Sequence, residues 1–117
     1  MGYHYDHAID LDDPRDLYAR VIAMVGRDKQ VLDVGCGSGQ VGRVLTEHAG
    51  CRVAGLELDA DACTAARTRL WRVIQGNAER LNLDQFFAPA SIDVILCLDV
   101  LEHMVDPWKF LRRIKPW

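Results

Sequence analysis

Three glycines at alternate positions, Gly35, Gly37 and Gly39, close the apolar run Val31-Leu32-Asp33-Val34 and open a segment of helical periodicity. An apolar run bounded by glycine reads as a buried strand, and Gln40 to His48 carries Val41, Val44 and Leu45 at helical spacing. The glycines therefore sit in a strand-to-helix turn. Glycine has no Cβ, so it takes positive φ and lets a ligand approach the bare backbone. The helix that follows aims its unpaired N–H groups at the same place. The turn reads as a small-molecule binding loop.

Spacing narrows the ligand. A dinucleotide loop wants G-x-G-x-x-G. Its third glycine would be residue 40, which is Gln, whereas this chain has Gly39 one position earlier. Further along, Arg52 to Glu57 reads as a second strand ending on a carboxylate 22 residues after Gly35. Such an acid can accept from both hydroxyls of a ribose, or can simply be a solvated strand end. Trp71 to Gln75 makes a third strand, followed by Gly76-Asn77-Ala78-Glu79. Ser91 to Leu98 makes a fourth, followed by Asp99-Val100-Leu101-Glu102-His103. Taken in this order, Asp33 with its G-x-G-x-G, Glu57, the Gly76 to Glu79 turn and the D-V-L-E-H run resemble the class I S-adenosylmethionine-dependent methyltransferases. The resemblance is to the small-molecule type and covers Val31 to about Ile114.

The resemblance implies an α/β fold: a Rossmann-like, doubly wound parallel sheet of strand order 3-2-1-4. It implies S-adenosyl-L-methionine as cofactor and a small molecule as methyl acceptor. The cofactor is expected at Asp33, Val34, Gly35, Cys36, Gly37, Gly39, Glu57, Leu58, Asn77, Ala78 and Leu98. Glu57 would take the ribose. In the family an acidic residue occupies the place of Asn77 and reads the adenine amino group. An amide oxygen can still accept there, although Gly-Asn also suits a plain turn.

His103 is the only histidine among the loops that this layout gathers at the carboxyl ends of the strands. It is the candidate catalytic residue, as a base or as a group positioning the acceptor. Two other readings of the same turn stay open. Asp99 and Glu102 have the spacing of a capping box, which would start a short helix with no chemistry in it. Asp99, Glu102 and His103 could also offer ligands to a divalent ion, but neighbours on a helix diverge, and no metal is expected. A binding or regulatory module that keeps the pocket without catalysing transfer is the alternative function. A nicotinamide dehydrogenase is disfavoured by Gln40.

A chain of 117 residues with 50% apolar content holds one modest core, so residues 1–117 are expected to be a single domain. No apolar stretch reaches the roughly 20 residues of a membrane span, and no secretory leader is visible, so a soluble, cytoplasmic protein is expected. Cys36, Cys51, Cys63 and Cys97 lack paired C-x-x-C spacing and read as free thiols. The net charge of −3 and the lack of a basic stripe argue against nucleic acid as a partner.

Asp13 and Pro14 read as the cap and first residue of an N-terminal helix with Leu17, Val21 and Val25 on one face. A further helix is expected from Asp59 to Leu70, with Ala62, Ala66 and Leu70 inward, and another begins at Asp106-Pro107. Arg112, Arg113 and Lys115 suit the C-terminus of that last helix. Tyr3, His4 and Tyr5 could fold over a cofactor or form a loose end. The family's sheet continues beyond the fourth strand, so the chain is expected to be the N-terminal, cofactor-binding half of the domain. Its fourth strand, Ile92 to Leu98, would then present an open edge and either pair with another copy or leave the chain marginally stable.

Overall fold

The structure is a computed structural model. It describes residues 8–98 and 100–116, so Tyr3, His4, Tyr5 and Asp99 lie outside the described residues. Four parallel strands form one sheet in the order β3-β2-β1-β4, with β1 at Gln30–Val34, β2 at Arg52–Glu57, β3 at Arg72–Gln75 and β4 at Val94–Leu96. The expected α/β class and strand order are present. β1 and β2 are central because both of their faces are apolar: Leu32, Val34 and Val53 are fully buried.

Alternation along the strands divides the core in two. Val31 and Val53 face one side, where they meet α1 (Leu17–Val25) through Ile22 and Val25, α2 (Gln40–Ala49) through Val41 and Leu45, and α3 (Ala60–Ala66) through Ala66. Leu32, Val34, Ala54, Leu56 and Ile74 face the other side, where Phe110 and Ile114 of α4 (Pro107–Ile114) cover them with Leu83. Helices on both faces of a parallel sheet are what buries such strands. Phe110 is only 2% exposed, and its truncation to alanine should cost about 3–5 kcal/mol.

Several boundaries differ from the sequence reading. The first helix starts at Leu17, and its cap is Asp16, whose Oδ1 accepts from the N–H groups of Tyr18 and Ala19 at 3.0 and 3.1 Å. Asp13 is engaged in its own turn, accepting from the N–H of Arg15, and Leu17 stays 69% exposed while Ala19, Ile22 and Val25 form the buried face. Asp59 caps α3 as expected, through the N–H of Ala62 at 2.8 Å, but the helix ends at Ala66. Tight turns carry the chain on, with Thr68 donating to Ala65 and Leu70 to Ala66. Ala62, Ala66 and Leu70 are nevertheless buried.

The third strand begins at Arg72. Trp71 instead lies exposed beside Arg52, whose guanidinium sits 4.8 Å over its ring. The fourth strand is the largest departure, since only Val94 to Leu96 of the expected eight residues pair with β1. Asp93 ends the pairing on one side by exchanging bonds with Gln30, whose N–H donates to its Oδ2. On the other side Cys97 and Leu98 already turn toward the loop.

Candidate functional site

The glycine loop lies where β1 delivers the chain to α2. Gly35, Gly37 and Gly39 all have positive φ, at +73°, +57° and +86°. Their surroundings differ. A Cβ at Gly35 would meet Val100, and one at Gly39 would meet Ala66 and Leu70, so these two glycines allow close packing. Around Gly37, among the described residues other than its chain neighbours, no atom lies within 4 Å of that position. It is the point at which a ligand can reach bare backbone.

The donors of this loop are already committed. Gly35 and Cys36 both give their N–H to the carbonyl of Leu56, Gly39 gives its own to Cys36, and Gly37 donates to Oε1 of Glu57 at 2.9 Å. A phosphate cradle needs such N–H groups turned outward. This loop offers space and leaves its glycine donors inside the protein. Val34 and Cys36 turn their side chains into the core, Cys36 beneath Gly55, so each borders the site through its backbone.

Glu57 ends β2, as expected. Its Oε2 accepts from the N–H of Asp59 at 2.9 Å, so both carboxylate oxygens are fixed by backbone donors. Each oxygen keeps further acceptor capacity for a hydroxyl. Asp33 lies beside it on β1, 3% exposed, and its carboxyl is pushed up to about 7, first by burial and then by the negative charge of Glu57. Burial, followed by the charges of Asp33 and Glu57, also pushes the Cys36 thiol upward and keeps it neutral. The carboxylate of Glu57, bonded to Gly37 beside the open space, favours a cationic ligand and opposes a phosphate.

Across the site, the turn after β3 is held by its own side chain: Oδ1 of Asn77 accepts from the N–H of Glu79 at 2.9 Å. The turn chemistry that the sequence left open is therefore present, and it occupies one lone pair of the oxygen proposed for adenine. Ala78 packs against the α4-side core, whereas Leu58 is 67% exposed at the end of β2.

Leu98 packs against the opposite core cluster as β4 ends. Beyond it a short 3₁₀ turn, Leu101–His103, stands in place of the capped helix. Its cap position is Val100, which offers no side-chain bond, so the turn starts one residue later than a box at Asp99 would set it. The His103 side chain is 78% exposed, with Nε2 3.6 Å from Oε1 of Glu102. The imidazole is thus exposed, seven residues beyond the end of β4.

Two residues that tie the turns of this region together escaped the sequence reading. The carboxylate of Glu79 accepts from the N–H groups of Val105 and Asp106, both at 3.0 Å. Arg113, read from sequence only as a cation at a helix end, donates to the carbonyls of Ala78 and Glu79. The signal that could have found Glu79 is its place two residues after Asn77, in the turn that follows β3.

Known proteins agree with this arrangement. The family described as "Methyltransferase domain" matches residues 32–116. The ubiquinone biosynthesis O-methyltransferase of Thiobacillus denitrificans is 34% identical over 95 positions, covering 75% of this chain and 40% of that protein. The protein of the same name from Idiomarina loihiensis is 37% identical over 82 positions, covering 68% of this chain and 33% of that protein. The chain thus spans two-fifths or less of the length of these curated relatives. Among solved structures, a TehB-like S-adenosylmethionine-dependent methyltransferase from Corynebacterium glutamicum superposes with a TM-score of 0.60 at 26% identity, over 77% of this chain and 48% of that one. With the glycine loop, the strand order and the matched span in agreement, the chain belongs to the class I S-adenosylmethionine-dependent methyltransferase family.

Proposed function

We propose that this chain forms the cofactor-binding part of a methyltransferase that transfers a methyl group from S-adenosylmethionine to a hydroxyl of a small molecule. The observation that carries the reading is the loop around Gly37: open space beside the Glu57 carboxylate, with Asp33 near enough to feel its charge and the glycine N–H groups already bonded within the protein. That combination suits a cationic, phosphate-free nucleoside and disfavours a dinucleotide. The names of the curated relatives support oxygen as the acceptor atom.

Bound there, S-adenosylmethionine would supply an activated sulfonium methyl to the acceptor oxygen and leave as S-adenosylhomocysteine. Glu57 binds the ribose hydroxyls with the acceptor capacity that its two backbone bonds leave. Gly37 gives the nucleoside room, Leu58 offers an apolar surface to the base, and Asn77 and Ala78 border its edge. Asp33 supplies negative charge beneath the methionine portion. His103 takes the proton that the acceptor hydroxyl loses, or holds that hydroxyl in line.

The free thiols of Cys36, Cys51, Cys63 and Cys97 support a reducing, cytoplasmic setting. No helix among the described residues is long and apolar enough to cross a membrane. With a net charge of −3, nucleic acid is not the partner this reading favours.

Calorimetric titration with S-adenosylmethionine and with NAD tests the site. Binding of the first and not the second is expected, and the reverse would overturn the assignment. A methyl-transfer assay on phenolic and alcoholic acceptors, using the protein that carries this chain, tests the chemistry. His103→Ala should lower turnover by about 10²–10⁴-fold, the range for a general base, with cofactor affinity unchanged. Normal turnover across acceptors would leave His103 a purely structural place. Binding without transfer to any acceptor would favour the regulatory module.

A further inference from the structure

The turn that faces the adenine side and the segment that follows His103 are joined by one carboxylate. Glu79 receives the N–H of Val105 on Oε1 and the N–H of Asp106 on Oε2, each at 3.0 Å. The same turn is gripped from below by Arg113, which donates to the carbonyls of Ala78 and Glu79, and is tightened from within by Asn77. Asp106 then caps α4 by accepting from the N–H of Lys109 at 3.0 Å. Residues 77–79, residues 105–106 and α4, from its cap at Asp106 to Arg113 in its last turn, therefore form a closed polar circuit. The sheet contributes little to this join, because β4 ends at Leu96, well before His103.

We propose that Glu79 is a positioning residue that couples occupancy of the cofactor turn to the placement of the His103 segment. The proposal rests on the cofactor site argued above. A carboxylate that accepts two successive N–H groups fixes the path of the backbone bearing them. A nucleoside resting on Asn77 and Ala78 restrains the turn from which Glu79 projects. The restraint passes through Glu79 to Val105 and Asp106, and so to His103, two residues before Val105. Cofactor binding and acceptor-side order then strengthen each other reciprocally.

Amide hydrogen exchange at Val105 and Asp106, with and without S-adenosylhomocysteine, reads this coupling directly. In the unaltered protein the ligand should slow both amides. In Glu79→Ala it should leave them unchanged, and affinity for S-adenosylhomocysteine should fall about tenfold, the scale of one hydrogen bond to a charged group. Glu79→Gln keeps the shape and one acceptor oxygen, so it should recover part of both effects, and it serves if the alanine variant folds poorly. Asp16→Ala removes the α1 cap and controls for lost stability alone. Equal ligand-induced slowing in Glu79→Ala and the unaltered protein would overturn the coupling, as would an equal loss of affinity in Asp16→Ala. Failure of the unaltered protein to bind S-adenosylhomocysteine would overturn the cofactor reading and this inference with it.

Discussion

The two sides of the site are built by different means. On the β1–β2 side, five register pairs run from Gln30–Arg52 to Val34–Leu56, and both strands are buried. The functional groups emerge where that rigid ladder stops, so Gly37 and Glu57 are brought together by the sheet itself. At the two edges of the sheet, β3 and β4 are four and three residues long. There the turns are tied by side chains reaching 26 to 35 residues along the chain, from Glu79 to Val105 and from Arg113 to Ala78. The first side is rigid through burial and backbone pairing. The second depends on a few polar contacts, and such regions open more easily.

The sharpest way to break this contrast is to compare two glycines of the first side. Gly37→Val adds a side chain where no described residue beyond its neighbours stands, so its cost to folding is the left-handed strain of about 1–2 kcal/mol. The same side chain fills the space a nucleoside needs, and binding should be abolished. Gly42→Ala does the opposite: its Cβ would lie 2.3 Å from Leu70 and 3.0 Å from Val53, inside the core. That variant should lose about 1–3 kcal/mol of stability and, once folded, bind normally. Calorimetry beside thermal melts separates the two. Unchanged affinity in a folded Gly37→Val protein would remove the loop from the site.

The same division explains what the sequence revealed. β2 from Arg52 to Glu57 and the strand-to-helix turn at Gly35 to Gly39 were legible because apolar runs and glycines act locally. The α4 cap at Asp106 was legible for the same reason. β4 was read too long because the apolar pattern from Ile92 to Leu98 does not reveal that Asp93 and Cys97 leave the ladder. The first helix was misplaced by three residues because Asp13-Pro14 and Asp16 are both chemically able to cap. The Glu79 and Arg113 contacts were invisible, since nothing in local spacing links positions so far apart.

A second test stays on the ribose. Glu57→Ala should weaken cofactor binding by about 1.5–3 kcal/mol for each charge-assisted bond lost. It also releases the N–H groups of Gly37 and Asp59, so the loop should exchange its amide protons faster. A 2′,3′-dideoxy analogue should bind the unaltered protein and the variant almost alike. An analogue that loses as much on going to the variant as the natural cofactor does would show that Glu57 touches neither hydroxyl.

Asp33 sharpens the contrast by pH. Its carboxyl is raised in the folded state to about 7 from an ordinary value of 3.8. Below about pH 4 it is protonated folded or unfolded, and it carries no penalty. Between these values the unfolded chain ionises first, so stability declines as pH rises, and above about 7 the full penalty is in force. Asp33→Asn should flatten that decline and stabilise the protein at pH 8 by on the order of a few kcal/mol, while weakening the cationic cofactor. Denaturant unfolding of both proteins across this range checks the sign. Parallel pH curves would mean that Asp33 is solvated more than its 3% exposure implies.

The smallest effect concerns the outer side of β4. Among the described residues this strand pairs only with β1, so its other edge can template association with a second copy. Three residues make a poor template, and shortness is one way proteins blunt an edge. Asp93 further limits it by turning its carboxylate toward Gln30. The 117-residue chain should therefore associate weakly, with the dimer fraction in light scattering rising with concentration and vanishing on dilution. A dimer that persists on dilution would mean that the strand extends on pairing toward the full Ser91 to Leu98 run, making the β4 edge as ordered by its backbone as the central β1–β2 pair. A monomer at every concentration would mean that three paired residues are too few to recruit a partner strand.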